Sequence, residues 1–105
     1  MISEKWVKYT KEQQILMIAN EINRAKNAIS KNYYEDAKCC YERALEFLVL
    51  SIDDFKWRNN LKEIVRCKEV VATLYVEMNI NLNNLLYNCL IQLNSKAYNM
   101  LVMSE

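Results

Sequence analysis

The chain contains no glycine and no proline in 105 residues. Average usage is about 7% and 5%, so about a dozen such residues are missing. Tight β-hairpins depend on residues that tolerate positive φ, and their most usual supplier is absent. Nothing in the chain breaks a helix outright, so helix can run almost anywhere. The same absence excludes Gly-rich phosphate loops, dinucleotide fingerprints, collagen-like repeats and Pro-rich ligands. The expected fold class is therefore all-α. Apolar residues make up 52% of the chain, enough for one core. The length is that of one domain, taken as residues 1–105.

Composition narrows function mainly by exclusion. Histidine is absent, which removes the commonest general base, every Ser-His or Cys-His nucleophile pair and every zinc site needing imidazole. Cys39, Cys40, Cys67 and Cys89 form no Cys-x-x-Cys knuckle, so buried, reduced, apolar thiols are expected rather than a metal site. Adjacent carboxylates at Glu35-Asp36 and Asp53-Asp54 point about 100° apart on a helix and do not share a proton. No catalytic residue, cofactor or metal is expected, and the chain reads as a non-enzyme. With 14 Lys+Arg against 13 Asp+Glu there is no basic field for nucleic acid. Trp6 and Trp57 lack the basic patch that base stacking would need. No apolar leader opens the chain and no apolar run is long enough to insert in a bilayer, so a cytoplasmic location is expected.

Four long helices can be placed. Thr10 to Gln13 has capping-box spacing, and Ile15, Ile18, Ile22, Ala25 and Ile29 recur on one face, predicting a first helix over about 11–30. Residues 4–9 add a loose turn in which Trp6 packs. The second helix starts near Tyr34, with Glu35 and Asp36 at its positive end. Its stripe is Ala37, Cys40/Tyr41, Ala44, Phe47/Leu48, Ser51 and Phe55, and the break after it falls at Arg58-Asn59-Asn60. Asn60 and Glu63 read as the cap of a third helix over about 61–78, carrying Ile64, Cys67, Val71, Leu74 and Met78. The Asn-rich stretch 79–84 predicts a turn, with a continuous helix from Leu61 to Val102 as the rival. A fourth helix follows over about 84–102, with Leu86, Cys89, Leu90, Leu93, Ala97, Met100 and Leu101 on its apolar side. Folded back, it is expected to lie along the third helix, either as an ordinary packed helix, which its 4,3 spacing favours, or as a built-in ligand of the bundle.

The segment from Ile22 to Asp53 carries a more specific pattern: Ala25, Tyr34, Glu35, Asp36, Ala37, Tyr41, Ala44, Glu46 and Phe47, without a gap. It resembles the first helical hairpin of the MIT domain, the microtubule-interacting and trafficking module. Ile29 stands where that family commonly has Asp. The resemblance implies an antiparallel three-helix bundle over about 11–78, here extended by the fourth helix. It further implies a protein-interaction module that takes an amphipathic helix from the C-terminal tails of ESCRT-III-type filament proteins into an interhelical groove. Leu45, Val49 and Ile52 on the second helix and Val70 and Tyr75 on the third are candidates for the groove's apolar surface. Glu69 and Glu77 are candidates to fix register; the alternative is that the five apolar residues belong to the core and the two Glu are ordinary surface charge. Such a module would be recruited to endosomal or other membranes through its partners. The hairpin also resembles a tetratricopeptide repeat, with its small positions at Ala25, Ala37 and Ala44 and its aromatic at Tyr41. That family's large apolar positions fall on the charged Glu21 and Arg24, and no second copy follows. The alternative function is a helical structural module that self-associates as a homodimer through its apolar fourth helix.

Overall fold

A computed structural model describes residues 2–93, and every regular element among them is helical. The order is α1 (Ile2–Lys8), α2 (Lys11–Ser30), α3 (Tyr34–Ile52), a 3₁₀ segment (Phe55–Asn60), α4 (Leu61–Glu77) and α5 (Ile80–Leu93). The Thr10–Gln13 capping box forms in both directions and starts α2. Two residues take the left-handed conformation that glycine would normally supply: Asn32 (φ 64°) after α2 and Met78 (φ 54°) after α4. Asn accepts this conformation readily, whereas Met has no side chain suited to it. At Met78 the backbone N–H donates to Leu74 O at 2.8 Å and closes the helix end.

The helices form a four-sided arrangement in which α3 packs on both α2 and α4, and α5 packs on α2. Ala25, Ala37 and Ala44 are all fully buried, so the α2/α3 hairpin closes on small residues as expected. Ile15, Ile18, Ile22, Tyr41 and Leu48 fill the space around them, and Ile64, Val71 and Leu74 add α4. Leu86, Leu90 and Ile91 bury the inner side of α5.

Several boundaries differ from expectation. The second long helix stops at Ile52, because Asp54 turns the chain by accepting from Lys56 N at 3.0 Å and starts the 3₁₀ segment. Phe55 therefore leaves the stripe and stands 78% exposed, while Trp57 takes the buried place. Asn60 makes no side-chain cap; its Oδ1 instead accepts from Lys11 Nζ. The turn between the last two helices is present but short. Asn79 caps α5 by accepting from Leu82 N at 3.1 Å, so the remaining asparagines lie inside the helix. Ala97, Met100 and Leu101 lie outside the described residues.

Direction also differs. The last helix does fold back, but it packs along α2 and makes few contacts with α4. Asn83 explains the choice. It is fully buried, accepts from Tyr41 Oη at 2.6 Å and donates to Ile22 O at 3.1 Å. These bonds are satisfied only where α5 sits over the α2/α3 hairpin.

Candidate functional site

Three seams of the bundle are closed: α2/α3, α3/α4 and α2/α5. The fourth, between α4 and α5, is open. It forms a groove of about 440 Å³. One wall is the outer face of α4, with Lys62, Glu63, Arg66, Cys67 and Val70; the other is α5, with Leu82, Leu85, Leu86, Cys89 and Leu93. Leu85, on the edge of this apolar lining, is 62% exposed. From Leu82 to Leu93 the α5 wall runs about 16 Å, the length of three helical turns.

The electrostatics of the two walls differ. From Ile80 to Leu93 α5 carries no charge. On α4, Lys62 and Arg66 sit one turn apart and form no ion pair with any described residue. They also border a shallower depression on the other side, with Leu61, Val65 and Glu69. Burial, reinforced by Cys89 across the seam and by Glu63, pushes the Cys67 thiol up to about 11. Cys67 is thus a neutral, half-buried apolar group at neutral pH. The thiols do not share one environment: Cys40 is buried, whereas Cys39 and Cys89 are exposed, which corrects the expectation of uniformly buried cysteines.

The structure distributes the sequence candidates over several places. Val70 lines the α4/α5 groove, and Glu69 borders the shallower depression. Tyr75 faces α3, where Lys38 Nζ lies 5.9 Å from its ring centroid. Leu45 and Ile52 are half-buried against the core, Val49 is exposed and Glu77 is exposed at the end of α4. Leu82, Leu85, Leu86, Cys89 and Leu93 complete the groove but were not among the groove candidates. Their leucine spacing was visible; that one side of it would stay uncovered was not.

A second polar feature is structural. Gln14 is fully buried near the base of α2. Its Nε2 donates to Trp6 O and to Asp54 Oδ2, both at 2.8 Å, and its Oε1 accepts from Trp57 Nε1 at 2.6 Å. Trp6 Nε1 donates to Ser51 Oγ at 3.2 Å, and the Trp6 ring stacks on Phe47 with centroids 4.8 Å apart. Burial pushes the Asp54 carboxyl up, but hydrogen bonds from Gln14 and Lys56 outweigh it and hold the group below its ordinary value. Higher on the bundle, Glu21 is buried between Arg24 and Arg43, with Oε2 accepting from Arg43 Nε at 3.0 Å. Of the two charged residues that break the tetratricopeptide pattern, Glu21 thus fastens α2 to α3 through Arg43, and Arg24 pairs with it within α2.

The described residues define an all-α bundle with one apolar seam left open and no helix long and apolar enough to cross a membrane. Among them no group of three or more acidic or thiol side chains is placed to hold a metal. The chain matches no family model, no curated protein and no solved structure.

Proposed function

We propose that this protein is a non-enzymatic, MIT-like interaction module that seats an amphipathic helix of a partner protein in the α4/α5 seam. The observation that carries the reading is the seam itself: an apolar channel three turns long with an exposed leucine on its edge. An amphipathic helix buries its apolar stripe in such a channel and leaves its polar face in water. The hairpin pattern from Ile22 to Asp53 supports the MIT-like assignment, and with it tails of ESCRT-III-type proteins as partners. The arrangement that resemblance implies has shallow grooves between the first and third helices and between the second and third; in this chain α3 and α4 pack together, which leaves the first. Here α5 occupies the α2 side of that space, so the seat that remains lies between α5 and α4. The module works in the cytoplasm and reaches membranes through its partner.

The test is a binding screen of the full chain against helical peptides from ESCRT-III-type C-termini. A bound peptide should be lost when Leu85→Asp places a charge on the seam. Binding that survives Leu85→Asp, or no binding by any such peptide, overturns the reading.

A further inference from the structure

We infer that the helix received by the α4/α5 seam carries an acidic flank: two carboxylates one turn apart, beside its apolar stripe, that meet Lys62 and Arg66. The inference rests on the seam being a helix seat and adds which helices it selects. The argument is charge complementarity between two unlike walls. The α5 wall carries no charge, so it sets no electrostatic condition on the helix face it touches. All the selectivity lies on α4. There Lys62 and Arg66 project at the rim four residues apart, about 6 Å along the axis, with no ion pair to any described residue. An occupant with acids at i and i+4 matches that rise, because its own turn has the same pitch.

Glu63 limits the pattern. It lines the same wall, next to Lys62 and one turn before Arg66, and repels a third carboxylate placed opposite it. The preferred partner therefore has two spaced acids rather than an acidic run. A helix with lysines at those two positions meets Lys62 and Arg66 as like charges and is rejected.

The experiment uses the full chain and three designed helical peptides of about four turns. They share one Leu/Ile/Ala stripe and differ at two flank positions, which are Glu, Gln or Lys. Affinity is read by fluorescence anisotropy, and occupancy of the seam by the labelling rate of Cys89 relative to Cys39, an exposed thiol that does not line the seam. The Glu peptide should bind about five- to tenfold more tightly than the Gln peptide, as expected for two partly exposed ion pairs, and should slow labelling of Cys89 but not of Cys39. The preference should fall with added salt. In the Lys62→Glu/Arg66→Glu chain the order should reverse, with the Lys peptide tightest. Equal binding of Glu and Gln peptides with Cys89 protected overturns the acidic-flank inference and leaves the helix seat standing. No binding and no protection by any peptide overturns both. Protection of Cys89 in the chain alone also contradicts the inference. If that protection grows with protein concentration, a second copy fills the seam; if it does not, the chain's own residues beyond Leu93 do.

Discussion

The base of the bundle and the α4/α5 seam are built on opposite terms. At the base, Trp6, Gln14, Ser51, Asp54 and Trp57 are all buried, and each polar group within the set meets another. At the seam, leucines and a valine line a channel that no described residue fills, and two cations on the rim form no ion pair with any described residue. A satisfied buried polar network fixes one geometry, because any displacement strands a donor or acceptor. An uncovered apolar channel fixes nothing within its own chain. The difference separates a region that holds the fold from a region free to accept something else.

The largest effect should come from breaking the base. Gln14→Ala removes three hydrogen bonds at once and leaves the Trp57 N–H and one Asp54 oxygen without that partner. A loss of about 3–5 kcal/mol is expected, read by urea unfolding monitored through tryptophan fluorescence. If the midpoint hardly moves, the network does not hold α1 and the 3₁₀ segment in place.

Next is the close approach of α2 and α3. Ala44 is fully buried among large neighbours, so Ala44→Leu should overpack the hairpin and cost about 1–3 kcal/mol in thermal melts. An unchanged melting temperature would mean that the hairpin has room to spare.

A smaller, pH-dependent effect follows from Asp54. Its carboxyl is held below its ordinary value in the folded chain, so its contribution to stability is complete above the unfolded value near 3.8. That contribution should disappear as pH falls through the lower folded value. Asp54→Asn should flatten this part of the acid unfolding profile without changing the profile above pH 6. The smallest effect belongs to the seam: Leu85→Asn replaces a largely exposed side chain and should shift stability by no more than about 0.5 kcal/mol. A large loss there would show that the seam is part of the fold.

The same contrast explains what the sequence made legible. The α2/α3 hairpin was readable residue by residue, because small residues, a capping box and an apolar period all acted locally. The turn before α5 was readable from its asparagines, though Asn79 alone does the capping and Asn83 serves the core. Where α5 would lie was not readable. Tyr41 and Asn83 are 42 residues apart, and nothing local marks them as partners. Nothing local distinguishes Gln14 from any polar residue early in a helix; only the return of Asp54 and Trp57 to the same end makes it a hub. Val70 and Tyr75 are both expected to face the second long helix; Tyr75 does lie beside Lys38 of α3, whereas Val70 lines the α4/α5 seam. An apolar period shows which face of a helix is apolar, not which neighbour covers it.

The central claim is that the α4/α5 seam, and no other face, receives a partner helix. Its most direct test is an amide-resolved NMR titration of the full chain with the two-Glu helical peptide. The account predicts shifts that cluster at Cys67, Val70, Leu82, Leu85, Leu86 and Cys89, while Trp6, Gln14 and Trp57 at the base stay in place. Shifts centred instead on Leu45, Val49 and Ile52 of α3, or a spectrum unchanged at saturating peptide, would contradict it.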